Sequence, residues 1–435
     1  MTKPNLSESL FTPQLIQQET STLVKYILPS SADVNKSMDV NKSTHANTHT
    51  FRGEQPERWY RIINWLGWIW KGINPLEIQD VLSRIAVTDA ERSHEHLLDT
   101  VIGYRKGNWA YEWSQQAMHW QQKALHTEKI SVDPSEKAEE INKCWLKAAM
   151  LYNIAAYPHL RGDVLADQAV ILANKAYENA AHHSDYQLKK LKFKLEGGKS
   201  VTGLLHIPAV VQEPCPTILV CASLDSLQSD FWRLFREHFS PMGVAMLTVD
   251  MPSVGYSAGF TLTQDTCSLH QQVLQQLDTI PWIDHTRVGI FGFRFGANIA
   301  IRLAYLEPHL MKGVAVVSPV VHGLLHDEKL QQKIPSMYKD IVASRLGIHH
   351  VDEDALRSEL SCYSLKNQGL LGRRCAVPML SVYWKDDIFS PGEDSKLIAR
   401  SSMDGALLAI PSTPAYSGFS KALHEASVWL KDKID

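Results

Sequence analysis

The residues with the clearest chemical meaning lie at Gly292-Phe293-Arg294-Phe295-Gly296, after the apolar run Val288 to Phe291 and before a helix-like stretch. A strand, a tight Gly-x-Ser-x-Gly turn and a helix together present a nucleophilic serine in many hydrolytic enzymes. Here the central position holds Arg294, which cannot attack a carbonyl. In a parallel sheet, ligands bind beyond the carboxyl ends of the strands, so the other strand ends are the places to search for partners. They carry Asp225 and Ser226 in "ASLDSLQSDFW", Asp250 and Ser253 in "DMPSVGYS", Ser318 and His322 in "SPVVHG", and Asp387 in "WKDDIFSP". Asp387 stands where the acid of a Ser-His-Asp triad belongs. The base should fall near Ala415 in "IPSTPAYSGF", and no histidine is there. His424, in the last helical stretch, reads as a packed or exposed helix residue. Of the three triad roles only the acid survives.

Two chemistries remain open. A guanidinium at a helix N-terminus meets the positive end of the helix dipole, so it needs a carboxylate or a bound anion beside it. Asp387 or Asp250 can supply that charge in the empty state, with Ser253 and Asp225 near the same rim, and a small carboxylate or phosphate could compete. Alternatively, a displaced nucleophile such as Ser226, Ser253 or Ser318 could use His322, the one histidine placed at a strand end, with Asp387 as acid. No paired cysteine or histidine spacing points to a metal, and no cofactor is expected.

The elements that must position these groups read as follows. From Gln187 onward, short apolar runs alternate with segments of helical length, after an opening hairpin turning at Gly197-Gly198. That order predicts a mainly parallel sheet with helices on both faces. Residues 56–186 have helical periodicity, with Trp109, Trp113, Ala117 and Trp120 on one face and Gly162-Asp163 suited to cap a helix. Eight of the twelve tryptophans fall between Trp59 and Trp145, which marks that stretch as a separate aromatic core. Residues 1–55 are polar and repeat "DVNKS" at 33–37 and 39–43, followed by "THANTHT"; the composition predicts a flexible segment in which His45 and His49 are solvated.

A net charge of −3 without a basic block excludes a nucleic-acid footprint. No stretch approaches the roughly 20 apolar residues of a membrane span, and no targeting signal is evident, so a cytoplasmic protein is expected. The six cysteines show no paired spacing and read as buried thiols of a reducing compartment.

The phrases "LDSLQSDFWRLFREH", "AMLTVDMPSVGYS", "GFRFGANIAIRLAYLE" and "GNWAYEW" resemble the FrsA family, the fermentation–respiration switch proteins, from about residue 5 to the C-terminus. Residues 33–55 look like an insertion. The resemblance implies an α/β-hydrolase fold (187–435) behind an all-helical domain (56–186), and hydrolysis of carboxylic esters. It also implies a partner, the unphosphorylated glucose-specific IIA phosphocarrier protein, and a role in biasing pyruvate metabolism toward fermentation. The arginine at the elbow belongs to the phrase that carries the resemblance. The alternative expectation is therefore a weakly catalytic or non-catalytic regulator that binds the phosphocarrier, a small carboxylate such as pyruvate, or both.

Overall fold

The structure is a computed structural model that describes residues 58–130, 137–211, 214–348 and 353–435. The expected flexible segment 1–55, with its repeat, His45 and His49, lies outside the described residues. The described residues form two compact units, one drawn from 58–183 and 335–348, the other from 184–334 and 353–435.

The helical unit contains α1 (Trp65–Trp70), α2 (Pro75–Val87), α3 (Trp109–Ile130), α4 (Ala138–Ala156) and α5 (Val164–Ala181). Local signals account for the boundaries. Asn74 and Glu77 form a reciprocal capping box with Pro75 in the first turn of α2. Asp163 accepts the amides of Leu165 and Ala166 at the start of α5, as the Gly-Asp pair predicts. Trp68, Trp109 and Trp113 pack with ring centroids 5.4–6.1 Å apart. Trp109, Trp113 and Ala117 are buried as their spacing predicts. Trp120 is only half-buried and donates its indole N–H to Glu77 at 2.7 Å.

A correction concerns Ser336–Leu346, helix α8, which lies inside the stretch expected to be hydrolase domain but packs in the helical unit. Its buried Asp340 accepts the Tyr60 hydroxyl, and its buried Arg345 donates to the carbonyls of His159 (2.7 Å) and Pro158 (3.2 Å). A buried guanidinium demands such acceptors, and the helical unit supplies them.

The second unit is an eight-stranded sheet in the order β1-β2-β4-β3-β5-β6-β7-β8. The strands are β1 (Gln187–Lys194), β2 (Ser200–Ile207), β3 (Cys215–Cys221), β4 (Ala245–Val249), β5 (Ile283–Phe293), β6 (Gly313–Val317), β7 (Met379–Trp384) and β8 (Gly405–Ile410). β1 and β2 are the antiparallel hairpin, turning where Gly197 and Gly198 take φ of 73° and 76°. β2 also pairs antiparallel with β4, and the remaining pairs are parallel. β3, β4, β6 and β7 are buried throughout, which explains why they read as unbroken apolar runs rather than alternating ones. The longer helices of this unit are α6 (Ser268–Leu274), α7 (Gly296–Leu306), α9 (Glu353–Cys362), α10 (Gly392–Ser401) and α11 (Ala415–Ile434). This is the α/β-hydrolase arrangement. All six cysteines are free thiols; only Cys362 is not buried.

Candidate functional site

The turn between β5 and α7 is the sharp strand-to-helix elbow that the glycine pattern predicts. A Cβ on Gly296 would lie 1.9 Å from the Cys221 carbonyl oxygen, and one on Gly292 would lie 2.8 Å from Ala297 Cα, so both glycines are demanded by close backbone approach. Arg294 sits at the apex with φ of 49°, a left-handed conformation rare for a residue with a side chain. Its amide donates to the Val317 carbonyl at 3.0 Å, and its carbonyl accepts from Ala297 and Val320, each at 3.1 Å. Bonds on both sides hold the strained residue in place.

Its guanidinium points at the end of β7. Arg294 Nη1 lies 3.7 Å from Asp387 Oδ1, an ion pair rather than a hydrogen bond, with the side chain only 14% exposed. The guanidinium carbon lies 4.9 Å from the centroid of the Phe389 ring and 5.8 Å from that of Phe293, within cation–π range. Asp387 is engaged on both oxygens. Oδ1 accepts the Phe389 amide at 2.9 Å, and Oδ2 accepts the Ser318 hydroxyl in a short hydrogen bond. Ser318, at the end of β6, also has a left-handed backbone, with φ of 54°, and its amide donates to Val382 at 2.8 Å. Strand adjacency explains the cluster: β5, β6 and β7 are neighbours, so their carboxyl ends bring Arg294, Ser318 and Asp387 together.

The other candidates fall elsewhere. Asp250, expected as an alternative counter-charge for Arg294, is fully buried and accepts the Gln228 amide (2.7 Å), the Gln228 side-chain amide (3.1 Å) and the Tyr256 amide (2.8 Å). Burial pushes its carboxyl up to about 7 against these donors. It ties the loop after β3 to the turn after β4, and Asp387 takes the place beside the arginine. Ser253, with φ of 70°, donates to the Phe260 carbonyl at 2.8 Å within that turn. Asp225 and Ser226 are half-buried in the loop after β3, where Ser226 donates its amide to Ser223 at 3.4 Å.

His322 is engaged by a serine from another segment. Its Nδ1 lies 2.8 Å from Ser364 Oγ, which itself accepts the Asn367 amide at 3.1 Å. The direction of the His322–Ser364 bond is set by the imidazole tautomer. The ring stacks on His326 with centroids 5.3 Å apart, and burial lowers its pKa. Its backbone is held by Asp394, which accepts the amides of Val321, His322 and Gly323. At the position where the sequence pattern expects a base, Ala415 begins α11 after Pro414. His424 is an exposed helix residue whose ring lies 5.8 Å, centroid to centroid, from that of His238.

Sequence reasoning overlooked Phe389, Ser364 and Asp394. Phe389, two residues beyond the acid, had a readable signal, since an aromatic beside a lone arginine is a common packing solution. The other two act through a loop and a helix far away in the chain.

Comparison with known proteins follows from this geometry. A family model described as "Esterase FrsA-like" matches residues 1–435. A protein named Esterase FrsA from Photorhabdus laumondii is 61% identical over the whole of both chains, and those of Yersinia enterocolitica and Escherichia coli O157:H7 are each 52% identical, also over the whole length. Among solved structures, a 2,6-dihydroxy-pseudo-oxynicotine hydrolase is similar with a TM-score of 0.65 at 15% identity, covering 85% of this chain and 96% of its own. AbyA5 is similar with a TM-score of 0.61 at 15% identity, covering 83% and 95%. At that identity the likeness establishes the shared fold and carries no chemistry. No helix among the described residues is long and apolar enough to cross a membrane.

Proposed function

This chain belongs to the FrsA-like family, and from that membership we propose that it hydrolyses carboxylic esters at the Arg294–Ser318–Asp387 cluster, without a Ser-His-Asp triad. The observation that supports this reading is the bond between the Ser318 hydroxyl and Asp387, with the guanidinium 3.7 Å from the same carboxylate. A hydroxyl, a base and a fixed positive charge share one strand-end site.

In this scheme Ser318 Oγ attacks the ester carbonyl carbon as its proton passes to Asp387 Oδ2. The proton neutralises the carboxylate as negative charge develops on the carbonyl oxygen. The guanidinium then loses its original partner and gains the oxyanion, which lies near the N-terminus of α7. The alcohol leaves with the proton returned from Asp387; water, deprotonated by the same carboxylate, then attacks the acyl carbon, the acyl–Oγ bond breaks, and Asp387 returns the proton to Ser318 Oγ as the acid is released. A carboxylate is a weaker base than imidazole, so slow turnover is expected.

The test is hydrolysis of p-nitrophenyl acetate and butyrate by the purified protein. Ser318→Ala and Asp387→Asn should each lower kcat/KM by on the order of 10²–10³-fold, while Ser226→Ala and His322→Ala leave it near wild type. A fluorophosphonate probe should label Ser318. Wild-type hydrolysis in Ser318→Ala removes this mechanism.

A second reading rests on burial: Ser318 is 1% exposed and Asp387 6%, so the site is closed as it stands. In that reading the protein is a regulator. Arg294 contacts a small carboxylate such as pyruvate when Asp387 yields it, and another surface meets the unphosphorylated glucose-specific IIA phosphocarrier. Calorimetry with pyruvate, and pull-downs with the two phosphorylation states of the phosphocarrier, test it. Absence of binding in both assays removes it.

A further inference from the structure

The tip of the β1–β2 hairpin forms one wall of a cleft that the Arg294–Ser318–Asp387 cluster does not line. The cleft has a volume of about 300 Å³, at the small end of the range for ligand sites, and opens between residues 195–199 and residues 252–272. Leu195, Phe260, Leu262 and Leu269 give it an apolar floor, with Leu262 and Leu269 buried.

The hairpin wall is fixed in place. Gln272, in α6, accepts the Glu196 amide at 2.7 Å. Gln276 holds Lys194 on both sides, accepting its amide at 3.2 Å and donating to its carbonyl at 2.9 Å. The turn itself closes by the Leu195 amide on the Lys199 carbonyl, at 2.9 Å. Three charged side chains line the cleft: Glu196, Lys199 and Asp265. Asp265 is matched by Arg302 Nε at 2.9 Å. Glu196 and Lys199 form no ion pair among the described residues, either with each other or with another group. Lys199 Nζ instead stands over the Phe260 ring, 5.5 Å from its centroid. A preorganised turn therefore presents one uncommitted carboxylate and one uncommitted ammonium above an apolar floor.

We propose that this cleft binds a small zwitterion with an apolar body, an α-amino acid such as phenylalanine or leucine. Lys199 takes the carboxylate, Glu196 takes the ammonium, and the side chain lies on Phe260, Leu262 and Leu269. The pairing of opposite charges at the rim selects a zwitterion. A plain carboxylate meets Glu196 and a plain amine meets Lys199, each a like charge without compensation.

The test is saturation-transfer NMR and calorimetry on the full chain with L-phenylalanine as the probe. Binding is expected with a dissociation constant on the order of 1 mM, because both charged contacts sit at an exposed rim. Lys199→Gln and Glu196→Gln change exposed side chains and should each weaken binding about threefold to fivefold. 3-Phenylpropionate and phenethylamine, which each lack one charge, should bind about fivefold or more weakly than phenylalanine. Circular dichroism confirms that both variants are folded. Absence of saturation transfer up to roughly 10 mM probe overturns the proposal. Phenylalanine binding that both variants retain unchanged overturns the site, and single-charge analogues that bind as tightly overturn the zwitterion.

Discussion

The contact between Arg294 and Asp387 can be measured by a double-mutant cycle of Arg294→Met and Asp387→Asn. Asparagine can keep its oxygen for the Phe389 amide, turns its NH2 toward the Ser318 oxygen and removes the charge, and methionine keeps most of the apolar stem. At 3.7 Å, with an effective dielectric constant of about 20, the gross attraction is about 4 kcal/mol. Desolvation of two largely buried groups offsets much of it, and the contact lacks a direct hydrogen bond, so a net coupling of about 1–2 kcal/mol is expected. Each single variant should lose more than that coupling alone implies, because each leaves the opposite charge buried without its partner. Urea unfolding should be followed by hydrogen exchange in β5–β7 rather than by a global signal, since a chain of two compact units need not unfold in one step. A coupling within about 0.3 kcal/mol of zero would refute the clasp.

Two further outcomes follow from single positions. Burial raises the Asp250 carboxyl to about 7, so the folded state keeps a proton that the unfolded chain releases near pH 4. This contribution is present below pH 4 and is lost as pH rises toward 7, so stability falls across that window, and Asp250→Asn should flatten the slope measured by urea midpoints at several pH values. Gly296→Ala would place a Cβ 1.9 Å from the Cys221 carbonyl oxygen, where only backbone movement relieves the clash. A loss of about 3 kcal/mol or more is expected in denaturant unfolding, and a near-neutral result would mean that the elbow is more pliable than its contacts imply.

Much of the candidate site was legible before any coordinates, because it is written in local patterns. The glycine spacing of 292–296 marks a strand-to-helix turn whatever the central residue is, since the glycines answer to backbone contacts rather than to chemistry. The apolar runs locate strand ends, and strand ends locate Ser318, Asp387 and the histidine-free stretch at Ala415. Residue type also determines that Arg294 needs an anion beside it.

Which anion was decided by the order of strands in the sheet. Asp250 ends β4 and Asp387 ends β7, and either could have met Arg294 as far as sequence spacing goes. β5 lies beside β6, and β6 beside β7, so Ser318 and Asp387 reach the elbow while Asp250 turns into the loop after β3. The same limit applies to His322, whose partner Ser364 is 42 residues away, and to α8, whose own sequence does not reveal that the helical unit accepts its Arg345. Helix and strand periodicity arises from contacts a few residues apart, so it survives in one dimension. Counter-charges and hydrogen-bond acceptors are assigned by packing between distant segments, and only the tertiary structure contains that assignment.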